Sequence, residues 1–240
     1  PLLLKILDAA DNLSVQVHPD DDYAQQIGMR NGKNEMWYVL QADQGAEIFT
    51  GFNKNMTKAE VINRVRDTKL TEVLDCTAAE KGDLFYIPAG LVHSIGKGCL
   101  IAEIQQSSDT TYRLYDWGRK DQNGKPRQLH LEQALQVMDL KKRNQGGKVH
   151  YHAHTDETTN LLTTPFFTVN RMYCLQGLKK DYSSLDSFVI YFCVGGSGMI
   201  ETEIGQVPLK AGEALMLPAV CQKAAILPRK SIEILKIFIV

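Results

Sequence analysis

Residues 82–93 read GDLFYIPAGLVH, and residues 212–223 read GEALMLPAVCQK. Each stretch places a glycine, an acidic residue and four apolar residues before a Pro-Ala pair. The glycine favours a turn, the apolar run favours a short strand, and the proline ends strand pairing because it has no N–H to donate. The repeat predicts two β-rich units of similar construction. Since the first copy ends in His93 and the second in Lys223, we expect metal chemistry only in the first unit.

The rest of the chain agrees with this β-rich pattern. Short runs rich in Val, Ile, Phe and Tyr alternate with Gly, Pro and Asp turns, as in β-sandwiches and barrels. Helical patterns are few, over 57–67 and 131–142. The polar stretch 141–160 is typical of a linker. We therefore predict an all-β protein of two units, with a metal-binding catalytic unit over 1–145 and a degenerate unit without metal ligands over 146–240.

Composition excludes several classes of protein. The 240 residues include 27 Lys and Arg against 28 Asp and Glu, a net charge of −1, which argues against a dedicated nucleic-acid binder. Apolar runs such as 84–92 are much shorter than the roughly 20 residues of a membrane helix. Five scattered cysteines without a C-x-x-C pair indicate a reducing compartment, and we expect a cytoplasmic protein. The chain opens without Met in an apolar run, so we expect an upstream segment.

Four polar side chains could share a metal ion. Gln16 and His18 are two residues apart in an alternating strand, so both leave the same face. Glu35 begins a later strand, and His93 ends the first copy of the repeat. Two neutral imidazoles with one carboxylate suit zinc or iron. The residues alone therefore leave the identity of the metal open.

Four longer stretches carry a family resemblance, and they are LSVQVHPDD (13–21), GKNEMWYVL (32–40), GDLFYIPAGLVHSI (82–95) and SSDTTYRLYDWGR (107–119). With them the sequence resembles the type I mannose-6-phosphate isomerases, above all the short bacterial form, within the cupin superfamily. A general cupin has His-x-His where this chain has Gln16-Val17-His18. The resemblance implies two cupin or jelly-roll-like β units joined by a linker.

The resemblance also implies a reaction and a set of roles. The reaction is the interconversion of mannose 6-phosphate and fructose 6-phosphate through a cis-enediol, whose growing negative charge needs a nearby cation. The substrate is then a small sugar phosphate. The implied roles are zinc ligands Gln16, His18, Glu35 and His93, catalytic residues Arg113 and Lys33, and substrate-binding residues Glu103, Asp109 and Arg119.

The sequence leaves the general base and the exact function open. Glu103, Asp109 and a zinc-held water are all candidates for the general base. Longer members of the family place a histidine before the active-site lysine, where this chain has Gly32, so no role of that histidine transfers. The alternative functions are a cupin metal oxygenase and a sugar-phosphate-binding cupin without turnover. The sequence does not predict an oligomeric state.

Overall fold

The computed structural model describes residues 2–120, 122–143 and 147–239. The chain divides into two compact units, residues 1–149 and 150–240. The boundary that we predicted between residues 145 and 146 lies outside the described residues. Both units consist mainly of strands, and the expected all-β, cupin-like fold is confirmed. Among the described residues, no helix has the length and apolar character needed to cross a bilayer.

The first unit contains two five-stranded sheets. The first sheet has the strand order β1-β8-β3-β6-β10, and the second has the order β5-β4-β7-β2-β9. Its strands are β1 (Leu2–Asp8), β2 (Val15–Val17), β3 (Glu35–Ala42), β4 (Glu47–Phe52), β5 (Leu74–Ala78), β6 (Leu84–Ile87), β7 (His93–Ile95), β8 (Cys99–Gln106), β9 (Tyr112–Tyr115) and β10 (Lys148–Val149). Its helices are α1 (Asp21–Gln26), α2 (Lys58–Arg66) and α3 (Leu131–Val137), with a 3₁₀ turn over Leu70–Val73.

The second unit has one seven-stranded sheet. Its main order is β11-β12-β17-β14-β15, while β13 pairs with β17 and β16 pairs with β14. The strands are β11 (Thr158–Thr163), β12 (Thr168–Cys174), β13 (Leu178–Asp181), β14 (Val189–Thr202), β15 (Gly205–Lys210), β16 (Ala214–Leu217) and β17 (Lys223–Phe238).

Apolar side chains fill the space between the two sheets of the first unit. Trp37 and Phe85 come from the first sheet, and Ile48 and Ile95 come from the second. Each of them is buried, and burying a large apolar side chain stabilises a fold by about 1.5–3 kcal/mol. This packing fixes the inner face on which the polar residues of the site lie.

The predicted linker over 141–160 is partly wrong. Lys148 and Val149 form β10, which pairs with Phe85 and Leu84 of β6, and β11 begins at Thr158. A two-residue strand has too little hydrophobic alternation to stand out in a polar stretch. The last strand of the first unit therefore lies within the stretch that the sequence marked as a linker.

The two copies of the repeat occupy the same place in their sheets. Glu35 lies opposite Ile87, the residue before the proline of the first copy. Val189 lies opposite Leu217, the corresponding residue of the second copy. The second unit therefore has an apolar side chain where the first unit has a carboxylate.

Two residues further along β3 and β14, the partner residue is acidic in the first unit and basic in the second. Trp37 of the first unit lies opposite Glu103, whereas Tyr191 of the second lies opposite Lys236. The Lys236 ammonium lies 5.3 Å from the Tyr182 ring centroid and 4.8 Å from that of Phe238. Burial lowers the pKa of Lys236 to about 8, and the nearby Lys180 contributes to that shift.

This lowered pKa predicts a pH-dependent stability. Between about pH 8 and 9.5 the folded chain has lost the Lys236 proton, whereas the unfolded chain keeps it up to about pH 10.4. Because the unfolded state then binds more protons, the free energy of unfolding should rise with pH in this window. A Lys236→Met variant should lack this increase in urea unfolding at pH 7.5 and 9.5. Parallel pH dependence in the two proteins would contradict the assignment.

Candidate metal centre and active site

Three buried side chains converge on the inner face of the first unit. His18 follows β2, Glu35 begins β3, and His93 begins β7. The Nε2 atoms of His18 and His93 lie 3.5 and 3.2 Å from Glu35 Oε1. One ligand atom from each residue fits within a span of 4.8 Å. The structure thus brings together three residues that are far apart in sequence.

Backbone carbonyls orient both imidazoles. His18 Nδ1 lies 2.9 Å from the Thr110 carbonyl oxygen, and His93 Nδ1 lies 2.7 Å from that of Leu91. A carbonyl can only accept, so each Nδ1 carries the proton and donates it. Both Nε2 atoms are thereby left unprotonated close to Glu35, with Lys33 Nζ 3.2 Å from that of His18 and the Gln16 amide nitrogen 3.3 Å from that of His93. A hydrogen bond at the other ring nitrogen is the usual second-shell arrangement of metal-binding histidines.

The Glu35 carboxylate has no well-directed hydrogen bond although it is fully buried. Burial alone would raise its pKa, but His18 and the Lys33 ammonium outweigh that effect and hold the pKa well below its usual range. Burial lowers the pKa of His18 to about 4, with Glu35 opposing the shift and Lys33 adding to it. An ionised carboxylate therefore faces a neutral imidazole, which is the protonation state that metal ligation requires.

Gln16 supplies a fourth polar group. In the paired strands it lies directly opposite His93, and its amide nitrogen is 3.3 Å from His93 Nε2. Rotating the amide by half a turn exchanges nitrogen for oxygen at this place, so an oxygen ligand is available there.

These donors fit a divalent metal ion. A tetrahedral zinc with ligands at about 2.1 Å has neighbouring ligand atoms about 3.4 Å apart, close to the three distances above. Two nitrogens with one carboxylate and one amide oxygen also match the ligand types of zinc and non-haem iron. The unsatisfied carboxylate oxygens are the groups that a cation would satisfy.

Lys33 reaches the same cluster. Its ammonium is 2.9 Å from Glu35 Oε2 and 3.2 Å from His18 Nε2, and the side chain is buried. Its loop is held by a hydrogen bond from its own backbone N–H to the Pro19 carbonyl, at 2.9 Å. The lysine that the sequence singled out is therefore an inward-facing cation and not a solvated loop residue.

Gly32 fits this loop because it has no side chain. A Cβ atom there would lie 2.3 Å from the Asp20 carbonyl carbon and 2.5 Å from the Asp21 nitrogen. Both neighbours are backbone atoms that cannot swing aside. The close approach of the two backbones holds Lys33 over the cluster.

Arg113 lies beside the cluster on β9. It is directly opposite Gln16 in the paired strands, and opposed residues of antiparallel strands share a face. Its Nη1 donates to the Gln128 carbonyl at 2.9 Å, while the buried Nε has no partner. Burial and the charge of Arg127 lower its pKa and Asp116 raises it, but a guanidinium stays protonated at neutral pH.

Two further arginines surround Asp116, just after β9. Arg119 forms a close ion pair with the Asp116 carboxylate, and Arg127 Nη1 lies 3.7 Å from the same oxygen. The buried Nε of Arg119 has no hydrogen-bond partner. Counting Arg113, three guanidinium groups surround one carboxylate, which leaves an excess of two positive charges. Sequence reasoning missed Arg127 because it follows a polar loop with no strand pattern.

The two predicted acidic residues differ in their surroundings. Glu103 is buried, and it accepts hydrogen bonds from Lys5 Nζ at 2.9 Å and from Trp37 Nε1 at 3.1 Å. Asp109 is exposed, next to the Thr110 carbonyl that orients His18. Glu103 thus lies on the inner face with the cluster, whereas Asp109 lies on a surface loop.

Lys5 was also missed from sequence. Its ammonium donates to Gln105 Oε1 at 2.6 Å as well as to Glu103, and Gln105 lies opposite Glu35 in the sheet. The available signal was a lone lysine within the apolar run LLLKILD, at an inward position of an alternating strand.

Comparison with known proteins identifies the family. A family model described as "Phosphomannose isomerase type I, catalytic domain" matches residues 1–51, and one described as "Mannose-6-phosphate isomerase, cupin domain" matches residues 157–229. The mannose-6-phosphate isomerase of Streptococcus mutans is 41% identical over 218 residues, which cover 91% of this chain and 68% of that protein. The chain belongs to the type I mannose-6-phosphate isomerase family.

Further relatives of this family agree. A Bacillus subtilis mannose-6-phosphate isomerase is 39% identical over 91% of this chain and 69% of its own length. A crystal structure of the mannose 6-phosphate isomerase from Bacillus subtilis matches with a TM-score of 0.87 and 30% identity, over 98% of this chain and 74% of that one. A phosphomannose isomerase variant from Salmonella typhimurium, at 14% identity over 99% of this chain and 79% of that one, shares the fold with a TM-score of 0.74. The recognition made from sequence is confirmed, and with it the enzyme class.

The cluster leads to a prediction about zinc affinity. Glu35→Gln keeps the shape of the side chain but removes its charge, so zinc affinity should fall at least about 100-fold, because losing even an outer-shell partner costs about 10- to 100-fold. Competition with a chromophoric chelator measures this affinity. Glu47→Gln, an exposed glutamate on β4, is the matched control. Equal zinc affinity in the Glu35 variant and the control would contradict the metal centre.

Proposed function

We propose that this chain is a zinc-dependent isomerase that interconverts mannose 6-phosphate and fructose 6-phosphate through a cis-enediol. Membership of the isomerase family supports the reaction class. The observation that carries the metal dependence is the buried, unsatisfied Glu35 carboxylate facing two Nε2 lone pairs. His18 and His93 through Nε2, Glu35 through its carboxylate and Gln16 through its amide oxygen would hold the ion.

The proposed reaction requires positive charge near the substrate oxygens. A proton moves between C2 and C1 while negative charge grows on the oxygens of the enediol. A bound zinc ion supplies Lewis-acid stabilisation of that charge. Arg113 adds a permanent positive charge beside the metal centre, and its unpartnered Nε is a donor available for an oxygen. Lys33 brings a second cation to the other side of Glu35.

Arg119 is proposed to hold the phosphate group of the substrate. It belongs to the arginine group around Asp116, where positive charge exceeds negative charge and a guanidinium nitrogen lacks an acceptor. A phosphate dianion matches that excess. Glu103 and Asp109 are proposed to bind the sugar, Glu103 from the inner face and Asp109 from the loop.

The cysteines support a cytoplasmic location. All five are free thiols, and four of them are buried. Burial raises the pKa of the Cys99, Cys174 and Cys193 thiols to about 11, so these thiols stay protonated and unreactive. Such residues act as small apolar core side chains, as expected of a protein in a reducing compartment.

The proposed activity is tested by incubating the purified protein with mannose 6-phosphate and following fructose 6-phosphate. We expect turnover that a chelator abolishes and added zinc restores. Turnover that resists the chelator would exclude the metal role. Oxygen consumption with iron in the purified protein would favour an oxygenase, and saturable sugar-phosphate binding without isomer exchange would favour a binding protein.

Arg113 should govern kcat. Arg113→Ala removes a cation at the site of charge development, and loss of one such donor lowers kcat by about 10²- to 10³-fold. Steady-state kinetics with zinc-saturated protein measure the effect. Arg64→Ala, which removes an arginine paired with Glu72 on the surface, is the control. Full turnover of the Arg113 variant would contradict its role.

Arg119 should instead govern KM. Arg119→Gln removes a charge-assisted hydrogen bond worth about 1.5–3 kcal/mol, so KM for mannose 6-phosphate should rise about 10- to 100-fold. The much slower reaction with unphosphorylated mannose should not change. An equal loss with both sugars would show that Arg119 does not contact the phosphate.

A further inference from the structure

Three polar side chains form a hydrogen-bonded group behind the metal centre. The Asn34 backbone N–H and its side-chain amide both donate to Gln106 Oε1, at 2.9 and 2.8 Å. The Gln106 amide nitrogen donates to Asp21 Oδ1 at 3.0 Å. Asn34 and Gln106 are both buried. We call Asp21, Asn34 and Gln106 the hub.

The hub reaches the segments that carry the candidate ligands. Asn34 stands between Lys33 and Glu35, and its side chain bonds to Gln106 and to the Ala89 backbone, whereas the side chains of Lys33 and Glu35 meet each other. Its Oδ1 accepts a hydrogen bond from the Ala89 backbone N–H at 3.0 Å, in the turn that leads to His93. One amide side chain therefore ties the segment of Glu35 to the segment of His93.

The remaining contacts hold the lysine loop. Asp21, three residues after His18, accepts at Oδ1 from the Gly32 backbone N–H at 2.7 Å. The Gln106 backbone N–H donates to the Asn34 carbonyl at 3.1 Å. The backbone on both sides of Lys33 is thereby fixed by hub members, while the lysine side chain points to the other face.

A hydrogen-bonded network of this kind holds the neighbouring backbone rigid, and small displacements near a reacting centre lower the rate. Buried polar groups that are fully paired fix one arrangement, because any other arrangement leaves a donor or acceptor unpaired. A misplacement of about 1 Å at a reacting centre can cost about 10²-fold in rate. The hub residues are not among the candidate ligands or substrate-binding residues, and their hydrogen bonds run to the backbone on either side of Lys33, so their effect passes through Lys33 and Glu35.

We propose that Asp21, Asn34 and Gln106 are positioning residues that set the geometry of Lys33 and Glu35 at the metal centre. The catalytic part of this inference rests on the proposed isomerase function. The metal-binding part stands on geometry, and zinc affinity reads it out without any turnover.

The decisive variant is Gln106→Glu. Glutamate keeps an acceptor for Asn34 but loses the donor to Asp21 and places two carboxylates against each other. We expect zinc affinity to fall about 10- to 100-fold, the range for outer-shell partners, and kcat of the zinc-saturated protein to fall more than KM changes. Gln41→Glu, at an exposed position near the end of β3, is the matched control and should behave as wild type.

A second substitution should restore the network. In Gln106→Glu with Asp21→Asn, the new asparagine can donate to the new glutamate and still accept from Gly32, so every hydrogen bond returns with one direction reversed. Zinc affinity and kcat should recover to within about threefold of wild type. A merely structural defect would lower the melting temperature of the single variant without this reciprocal rescue.

The outcomes separate this inference from the proposed function. If wild type does not isomerise but zinc affinity falls and recovers as described, the proposed function fails and the hub stands. If wild type isomerises and Gln106→Glu changes neither zinc affinity nor kcat by more than twofold, the hub is overturned. A double variant that stays as impaired as the single one overturns it as well.

If Gln106→Glu does not fold, Asp21→Ala, at the half-buried start of α1, replaces it. We expect the same loss of zinc affinity in this variant, and an unchanged affinity would overturn the proposal.

Discussion

The first unit is organised around the buried negative charge of Glu35, which has to be balanced by positive charge. Two imidazole Nε2 atoms lie 3.2 and 3.5 Å from one oxygen of this carboxylate, and all three side chains are buried. An uncompensated charge in such a place costs several kcal/mol. Lys33 supplies one positive charge at 2.9 Å, and the 3.2 and 3.5 Å distances between the other donors match those between the ligands of a metal ion. Carbonyl anchors on both histidines, the sheet register of Gln16 and the network around Asn34 all maintain this arrangement.

The four candidate ligands come from three separate strands, with Gln16 in β2 and His18 just after it, Glu35 in β3 and His93 in β7, so the site depends on sheet pairing as well as on local sequence. Gln16 is opposite both His93 and Arg113, so β2 joins the candidate metal ligands to the arginine proposed as catalytic. Glu35 is opposite Gln105 in the other sheet. A shift of register by one residue would turn each of these side chains to the opposite face.

The sequence predicted the parts of the molecule that depend on short-range patterns. Residues 99–106 are an apolar run bounded by glycine and serine, and this local pattern alone indicates strand β8. Thr57 and Glu60 have the spacing of a capping box, which is a local property, and the cap is present at the start of α2. Strands β14 and β17 each look like two shorter strands in the sequence, because glycines and a proline interrupt the apolar pattern without ending the pairing. No local pattern marks Arg127, which joins the arginine group through tertiary folding alone. Lys5 is marked only as a lone lysine in an apolar strand, and its partners Glu103 and Gln105 follow from sheet pairing.

The absent side chain at Gly32 decides how the backbone enters the segment of Lys33. Asp20 backbone atoms occupy the space that a β-carbon would need, so the route by which the chain enters the lysine position is open only to the smallest residue. Any larger residue at this position would force the Asp20–Asp21 backbone or the segment of Lys33 to move. A missing β-carbon, rather than an added contact, thus allows the Lys33 ammonium to reach the buried carboxylate.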